Sequence, residues 1–483
     1  MTQKDALTIL KMGKNVFLTG APGSGKTFVL NQYIKYLKQN NIDVAVTAST
    51  GIAATHIGGT TIHSWSGIGI KDSISERELD YMEQKAYLWK RFQKVKVLVI
   101  DEISMLKDST MNTVDQVCKF FKRNDLPFGG IQVVFSGDFF QLPPIDKGPK
   151  EPDTLKISFD GETEIVYEDD EFMAPFAFRA RSWVEADLSV CYLTEQHRQE
   201  DEHLLDLLNE IRSGQVSSST YEKLLAKVVE EEFENVTKLF THNLNVDVFN
   251  SKKLEAVSGK QKRYEMSSKG KEAIVSGVKK GCLSPEILDI KVGALVMFVK
   301  NNPLRGYVNG TTGEVVDFED GFPVVRTKEG KTFTAHPQSW MIEDRDTIVA
   351  EITQVPLKLA WAVTIHKSQG MTLDSAVIDL SQAFVTGQGY VALSRVKSWD
   401  GLYLRGINQK SLEIDQTVLN YDIRFQSDSE KNVAKLKRTS TEKVKKATED
   451  FIKNSSGKVA KKGKKAGTKM KSNFADDFDA FFG

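Results

Sequence analysis

A glycine-rich segment near the start of the chain, residues 20–27, constrains the fold more than any other part of the sequence. It reads Gly-Ala-Pro-Gly-Ser-Gly-Lys-Thr and therefore has the phosphate-loop spacing G-x-x-x-x-G-K-[ST]. Residues 15–19 predict a buried strand before it, and residues 28–37 have the apolar period of a helix after it. A chance glycine turn would lack this strand–loop–helix context. The segment therefore predicts a nucleoside triphosphate site in an α/β fold.

Each residue of such a loop has a predictable role. Glycines let successive backbone N–H groups surround a phosphate, and the positive end of the following helix adds to the attraction. Lys26 is expected to reach the outer phosphates, and the Thr27 hydroxyl to bind Mg²⁺. The predicted cradle comprises Gly20, Gly23, Ser24 and Gly25.

Short apolar runs predict two parallel sheets in a chain of 483 residues, which is long enough for several domains. The first four runs, at residues 16–18, 44–46, 97–100 and 133–135, are continuous, as in strands buried on both faces. Residues 238–241, 376–380 and 402–404 are expected to form a second sheet. Between these runs, strands separated by Gly, Asn and Asp turns predict an inserted small β-barrel at residues 293–352, and residues 156–167 predict a β-hairpin.

The composition limits the cellular compartments and the binding partners that the protein can have. The three cysteines are far apart, which favours a reducing compartment and disfavours a disulfide framework or a zinc site. No apolar run approaches the roughly 20 residues that span a bilayer, and no signal peptide begins the chain. We therefore expect a cytoplasmic, non-secreted protein with no membrane association, near the nucleoid if the host is bacterial.

Charge is unevenly distributed although the formal net charge is zero. Residues 431–471 contain 15 Lys and Arg against 3 Asp and Glu, and they are poor in large apolar side chains. This composition predicts a mostly disordered basic linker, either solvated or attracted to DNA phosphates. The four terminal phenylalanines, spaced as on one helix face among aspartates, predict a disordered terminus or a short helix that docks on another protein. They are Phe474, Phe478, Phe481 and Phe482.

Two adjacent carboxylates complete the predicted nucleotide site. Asp101 and Glu102 follow the buried strand 97–100, at the sheet edge where α/β proteins bind ligands. Asp101 is suited to hold Mg²⁺, and Glu102 to polarise an attacking water, although a solvated strand end remains the alternative.

Residues after other strands are candidates for sensing phosphate and binding nucleic acid. Gln141 could contact the γ-phosphate, while Phe139 and Pro143 could form a stacking surface for a base, with ordinary core packing as the alternative for Phe139. Arg198 and Arg395 are candidate arginine fingers, because a planar cation suits the far side of a γ-phosphate. Hydroxyl-rich segments at residues 47–51, 63–65 and 364–370 suit phosphodiester contacts, with Trp65 and His366 able to stack on bases.

Taken in chain order, these segments resemble superfamily-one DNA helicases, and among them the petite-integration-frequency (PIF) family related to RecD. The matching blocks run from the N-terminus to about residue 405. They are residues 20–27, 47–54, 58–64, 99–105, 127–132, 136–144, 193–198, 308–310, 359–371 and 389–395.

The resemblance implies an ATP-dependent helicase that moves 5′→3′ on single-stranded DNA, unwinds duplexes and processes G-quadruplexes and RNA–DNA hybrids, in a family linked to repair, recombination and telomere maintenance. It implies that ATP and Mg²⁺ are bound by Lys26, Thr27, Asp101 and Glu102. It also implies that Gln141 contacts the γ-phosphate and that Arg198 and Arg395 are arginine fingers. Gln3 corresponds to an adenine-reading glutamine, and Gly370 to a glycine that couples nucleotide to DNA. The DNA contacts predicted from the motifs and the resemblance are Thr47, Ser49, Thr50, His63, Phe139, Pro143, Asn309, Thr364, His366, Lys367 and Ser368.

The expected architecture is two RecA-like domains with ATP between them. Residues 1–190 would form the first, with a wedge-like insertion at about 62–91 and a hairpin at about 151–171. Residues 191–255 and 355–426 would form the second, residues 256–354 an SH3-like insertion, and residues 427–483 the basic linker and tail. We expect a monomer that binds single-stranded and forked DNA. Two other functions stay open from the residues alone: an ATP-gated remodelling translocase that separates no strands, and a P-loop kinase for a small metabolite.

Overall fold

The computed structural model describes most of the chain through Ser455. The described part excludes Ile70 and residues 145–156, 160–162, 166–173, 196–200, 232, 234–235, 242–245, 303–304, 306, 345–346 and 456–483.

The described residues alternate helices and strands. The helices are α1 Gln3–Lys11, α2 Lys26–Gln39, α3 Gly51–His56, α4 Ile62–Ser66, α5 Glu76–Glu83, α6 Ala86–Lys94, α7 Asp108–Lys122, α8 Arg181–Glu185, α9 Glu202–Arg212, α10 Ser218–Leu225, α11 Val246–Ala256, α12 Glu272–Gly281, α13 Gln388–Leu393, α14 Gln416–Arg438 and α15 Thr441–Asn454. The strands are β1 Val16–Gly20, β2 Val44–Ala48, β3 Thr60–Thr61, β4 Val97–Asp101, β5 Gln132–Ser136, β6 Ile157–Phe159, β7 Thr163–Ile165, β8 Ser189–Leu193, β9 Thr237–Phe240, β10 Lys262–Glu265, β11 Ser267–Gly270, β12 Ile287–Ile290, β13 Leu295–Phe298, β14 Thr312–Glu319, β15 Phe322–Thr327, β16 Thr332–Thr334, β17 Gln338–Asp344, β18 Thr347–Gln354, β19 Leu357–Leu359, β20 Ala362–Thr364, β21 Ala376–Leu380 and β22 Leu402–Ile407.

The first domain is built on a six-stranded parallel sheet in the order β3-β2-β4-β5-β1-β8. Its strands β1, β4 and β5 are buried along their whole length, which explains their continuous apolar sequences. The four runs predicted from the first 140 residues are thereby confirmed as parallel strands. Strand β8 extends this sheet to Leu193, slightly beyond the expected domain boundary at residue 190.

The second domain has a four-stranded parallel sheet in the order β20-β9-β21-β22. The predicted late strands join it, as does the run at residues 238–241. The fold is therefore mixed α/β with two parallel sheets, as the sequence predicted. Ligands bind at the carboxyl ends of such strands. A functional site is therefore expected at the loops after β1, β4 and β5 and at the segment after β20.

The segment between β9 and β20 contains antiparallel strands, as its turn-rich sequence indicated. Strands β16-β15-β14-β13-β19 form one sheet, β11-β18-β17 a second and β10-β12 a short ribbon. Strand β19 begins at Leu357 and pairs with β13, so the β-rich part reaches past the expected boundary at residue 354. Strands β6 and β7 pair as the predicted hairpin, with the second strand two residues earlier than expected.

The expectation of a linker from residue 427 is wrong for the part that the structure describes. Helix α14 continues to Arg438 and helix α15 follows to Asn454. Both helices return to the first domain: Phe425 packs beside Phe17, and Ile452 lies in the cluster below α1. The lysine-rich composition suggested disorder, but the segment contains a few apolar residues that a helix can bury along one face. The four terminal phenylalanines lie outside the described residues.

The expected wedge is a small helical unit, α4 to α6, on the first domain. Its apolar residues Leu79, Met82, Leu88 and Phe92 are buried, and the Trp65 ring lies 4.8 Å from that of Phe92. Trp65 is therefore a core residue and not the base-stacking surface that the sequence suggested.

Candidate active site

The phosphate loop has the geometry that its spacing predicts. Gly25 caps α2 with φ +86°, and a Cβ there would collide with the Gln3 side chain. Lys26 Nζ donates to the carbonyl oxygens of Gly20 at 2.7 Å and Ala21 at 3.1 Å, so its ammonium spans the mouth of the loop. Burial lowers the pKa of Lys26, while the carboxylates of Asp138 and Glu102 raise it. A triphosphate would replace the carbonyl partners with full negative charge.

Gln3 lies directly against this loop, at the start of α1. Its Nε2 donates to the Ser24 carbonyl at 3.2 Å, and its backbone N–H donates to Glu195 Oε2 at 2.9 Å. Although Gln3 precedes the loop by many residues, α1 packs beside α2 and returns it to the site. This position fits the adenine-reading role expected for it.

The two carboxylates stand at the end of β4. Glu102 has φ +52°, a left-handed conformation that costs energy in a residue with a side chain and turns the chain sharply after Asp101. Burial raises the pKa of Asp101, and burial together with the charge of Asp101 raises that of Glu102 to about 7. The charges of Lys26 and Arg395 lower the Glu102 pKa. A carboxylate with a pKa near neutrality is well suited to accept a proton from water.

Several buried side-chain oxygens at this site have no hydrogen-bond partner among the described residues. They include Ser24 Oγ, Glu102 Oε2 and Gln141 Oε1. Gln141 is only 6% exposed and follows β5, in the segment 136–142 that we call the sensor loop. Buried polar atoms are normally satisfied, so this group points to a polar ligand that belongs between these residues.

The donor set fits a Mg²⁺ ion that shares its coordination with phosphates. No cluster of three or more His, Cys, Asp or Glu side chains capable of holding a metal occurs in the described parts of the chain. Mg²⁺ in nucleotide sites commonly takes one or two protein oxygens and completes its octahedron with phosphate and water. Thr27 and Asp101 could supply the protein oxygens.

Arg395 follows α13 in the second domain, and the structure brings it to the same cleft. Its side chain is 1% exposed and donates to the Val391 carbonyl at 2.9 Å and the Ser394 hydroxyl at 2.8 Å. Its charge reaches Glu102 of the first domain. The other candidate finger, Arg198, lies outside the described residues.

Sequence reasoning missed Arg212, the last residue of α9. Its guanidinium bonds both oxygens of Asp138 in the sensor loop, at 2.9 and 3.1 Å, and also reaches the hydroxyls of Tyr192 and Tyr390. An arginine in the last turn of a helix is ordinary, and its partners come from distant parts of the chain. No local signal could have identified it.

Several predicted DNA contacts are buried and have partners within the fold. Thr47 is fully buried and donates to the Val99 carbonyl, and Ser368 is fully buried and donates to the Ile365 carbonyl. Thr364 accepts from the Lys367 amide. Phe139 lies among the rings of Phe17, Phe176, Phe178 and Trp183, as the core-packing alternative expected. Contacts of these four residues with DNA stay predictions.

Ser49 and Asn309 are buried as well, and their contacts with DNA likewise stay predictions. Ser49 donates to the Glu102 carbonyl at 2.7 Å, which ties the end of β2 to the catalytic turn. Asn309 Nδ2 lies 3.2 Å from His56 Nε2 of α3. The remaining predicted contacts are at least partly accessible: Thr50, His63, Pro143 and His366 are half-buried, and Lys367 is exposed.

Asn309 marks a junction of three segments near these accessible residues. His56 of the first domain contacts the insertion through Asn309, and a Cβ on Gly370 would lie 3.4 Å from the His56 ring. Lys358 belongs to the same junction and was not predicted. Burial and the charge of Lys367 lower the Lys358 pKa to about 7, so two lysines and a histidine share one partly buried surface.

Comparisons with known proteins identify the family of this chain. The family model for PIF1-like helicases matches residues 3–222, and the model for the 2B domain of the DNA helicase Pif1 matches residues 275–318. The ATP-dependent DNA helicase Pif1 of Psychrobacter is 43% identical over 486 aligned positions, covering 88% of this chain and 71% of the relative. The chain belongs to the PIF1-like helicase family. The resemblance inferred from the motifs is confirmed, and the enzyme is an ATP-dependent DNA helicase.

Solved structures of Bacteroides Pif1 show how the helicase compares in three dimensions. The complex with ADP-AlF4 has a TM-score of 0.73 at 31% identity, covering 88% of this chain and 96% of that one. The complex with single-stranded DNA has a TM-score of 0.55 at 30% identity, with 89% and 97% coverage. At nearly equal identity and coverage, the TM-score to the ADP-AlF4 complex is higher than that to the complex with single-stranded DNA.

Proposed function

We propose that this helicase hydrolyses Mg-ATP in the cleft between its two parallel-sheet domains and uses the cycle to move 5′→3′ along single-stranded DNA. Duplex ahead of the enzyme is then separated, and folded G-quadruplexes and RNA–DNA hybrids are further substrates that family membership favours. The two domains are RecA-like in this account. The observation that carries the proposal is the close approach of the two domains at this site: Gly387 of the second lies against the Gln141 carbonyl of the first, and the charge of Arg395 acts on Glu102.

Each residue of the cleft has its own role in ATP hydrolysis. Lys26 binds the outer phosphates, and Thr27 and Asp101 hold the Mg²⁺ ion that neutralises them. Glu102 takes the proton of the attacking water, and its raised pKa makes it a base near neutrality. Gln141 contacts the γ-phosphate, and Arg395 stabilises charge that develops on it. Arg198 is proposed as a second finger, and Gln3 contacts the adenine.

A DNA track across both domains follows from the accessible residues. Thr50 and His63 lie on the first domain, and His366 and Lys367 lie after β20 on the second, while Pro143 flanks the sensor loop between them. Relatives crystallised with single-stranded DNA and with forked duplex DNA support this partner class. Gly370, beside this track and the His56 ring, couples the nucleotide cycle to DNA.

DNA binding is expected to change the contact between α3 and the insertion. The backbones of Gly51 and Gly281 lie so close that a Cβ on Gly51 would be 2.9 Å from the Gly281 Cα. Thr55 Oγ1 also donates to the Gly281 carbonyl at 3.0 Å. This contact covers α3, which Thr50 caps, so it must loosen for a DNA strand to lie there. The lower TM-score to the DNA-bound relative supports such a rearrangement.

Further assignments belong to the same proposal. The inserted strands at residues 256–354 form an SH3-like barrel, and the helical unit α4 to α6 acts as the wedge, with Tyr81 and Tyr87 exposed on it. The enzyme is a monomer that acts on DNA in the cytoplasm. The terminal segment 474–482 recruits a protein partner. Of the helices in the described residues, none is long and apolar enough to cross a membrane.

Strand displacement is the decisive experiment. ATPase rate is measured with and without single-stranded DNA, and unwinding is measured on matched duplexes with 5′ or 3′ tails. We expect DNA-stimulated hydrolysis and unwinding of the 5′-tailed duplex, and Lys26→Ala should abolish both. Hydrolysis stimulated by DNA without strand displacement would favour a remodelling translocase, and hydrolysis indifferent to DNA would favour a small-molecule kinase.

A further inference from the structure

Arg212 joins four separate parts of the molecule at one buried point. Its guanidinium bonds Asp138 of the sensor loop, the Tyr192 hydroxyl of β8 at 2.8 Å, the Tyr390 hydroxyl of α13 at 3.0 Å and Asp422 of α14 at 3.4 Å. Its side chain is 11% exposed, and that of Asp138 is fully buried. The guanidinium also lies 3.8 Å from the centroid of the Phe140 ring. A planar cation with several fixed donors is the group that can satisfy such a set.

The position of this cluster connects it to ATP chemistry. Asp138 lies three residues before Gln141, and the Gln141 amide donates to the Asp138 carbonyl at 3.0 Å. The charges of Asp138 and Arg212 both reach Lys26. On the other side, Tyr390 stands in α13, five residues before Arg395. A single side chain of α9 therefore contacts both the loop that senses γ-phosphate and the helix that precedes the arginine finger.

A second contact holds the same two segments together. Gly387, which caps α13 with φ +78°, lies so close to the sensor loop that a Cβ would be 2.6 Å from the Phe140 carbonyl oxygen and 2.7 Å from that of Gln141. Movement of the Gln141 backbone must therefore displace the start of α13. The ion pair and the backbone contact together make the sensor loop and α13 one mechanical unit.

We propose that Arg212 is a positioning residue that keeps Arg395 in register with Gln141, so that loss of the γ-phosphate in the first domain moves the finger of the second. This inference rests on the proposed function, since it assigns a part in that ATP cycle. Arg212 contacts neither nucleotide nor DNA in this role. It acts through Asp138 and Tyr390, and its removal would uncouple hydrolysis from movement without emptying the nucleotide site.

The test separates positioning from binding. In Arg212→Lys the charge remains but the planar fork is lost, and in Tyr390→Phe a single hydroxyl is lost. For Arg212→Lys we expect the DNA-stimulated kcat to fall at least tenfold, the KM for ATP to stay within about threefold, and fewer base pairs to be unwound per ATP. Tyr390→Phe should lower kcat severalfold, and the double variant should be no worse than Arg212→Lys alone, because both act through one contact.

Controls make the result decisive. Arg263→Lys changes an exposed arginine that pairs with Asp289 through two 2.9 Å bonds, and it should leave every parameter unchanged. Wild-type kcat and coupling in Arg212→Lys, or fully additive effects with Tyr390→Phe, would overturn the inference. If Arg212→Lys loses cooperative unfolding, Tyr390→Phe decides alone, and wild-type kcat in that variant refutes the proposal. A wild-type enzyme without DNA-stimulated ATPase would refute the proposed function instead.

Discussion

Helix α14 should be an integral part of the first-domain core, and Phe425→Ala tests this directly. The Phe425 side chain is 8% exposed, and its ring lies 5.0 Å from Phe17, 6.2 Å from Phe139 and 6.3 Å from Trp183. Truncating a buried phenylalanine to alanine costs about 3–5 kcal/mol through lost transfer energy and the cavity that remains. Because α14 lies at the edge of the domain and can shift inward, we expect about 3 kcal/mol.

The assay is urea unfolding followed by tryptophan fluorescence, since Trp183 belongs to the same aromatic cluster. Ile423→Ala is the matched control: it removes an aliphatic side chain two residues away that is 70% exposed, and its effect should stay within about 0.5 kcal/mol. Equal effects of the two variants, or a loss below about 1 kcal/mol for Phe425→Ala, would refute the assignment of α14 to the core. Since Phe139 precedes Gln141, we also expect a lower kcat in Phe425→Ala at temperatures where it stays folded.

Three further predictions concern the site and the C-terminus. Because the pKa of Glu102 is raised to about 7, its carboxyl is protonated at lower pH, and kcat/KM for ATP should increase with pH around 7. Glu102→Gln should bind nucleotide at every pH and hydrolyse it at no pH. A DNA phosphate beside Lys358 would raise its pKa from about 7, so binding of single-stranded DNA should take up a proton. The Kd should therefore increase between pH 7 and 9, by at most about tenfold per pH unit. Lys358→Met should flatten this slope, and an unchanged slope would exclude Lys358 as a DNA contact. Deleting residues 440–483 removes the contact of α15 with α1, so the thermal unfolding temperature should fall. The KM for ATP should also rise severalfold, because α1 carries Gln3, which contacts the phosphate loop. Deleting only residues 456–483 should change neither quantity.

The nucleotide site was readable from sequence because its chemistry is local. The phosphate loop needs glycines at fixed spacing next to Lys26, and the paired carboxylates directly follow an apolar strand, so short segments carry most of the signal. The same holds for the parallel strands, whose burial on both faces leaves continuous apolar runs. Gln141 and Arg395 were predicted in the same way, from short blocks recognisable within a family, and their roles stay predictions.

DNA contacts are harder to predict from sequence, for a physical reason. Hydroxyl and amide side chains at strand ends can bind phosphates or satisfy buried backbone groups, and sequence does not distinguish the two uses. Thr47 and Ser368 proved to be partners of backbone carbonyls, and Phe139 proved to be core. Lys358 was missed because its lowered pKa arises from burial and from Lys367, neither of which is visible in its neighbours along the chain.

Sequence alone determined that this chain binds a triphosphate, contains two parallel sheets and belongs among PIF-type helicases, because each conclusion rests on residues close together in the chain. Only the tertiary structure decided that residues 427–455 return to the first domain, since a sparse apolar stripe becomes meaningful when a hydrophobic surface exists to receive it. It also decided that Arg212 joins Asp138 to Tyr390. Such a contact depends on the approach of residues that lie 74 and 178 positions from Arg212 along the chain, which folding alone brings together.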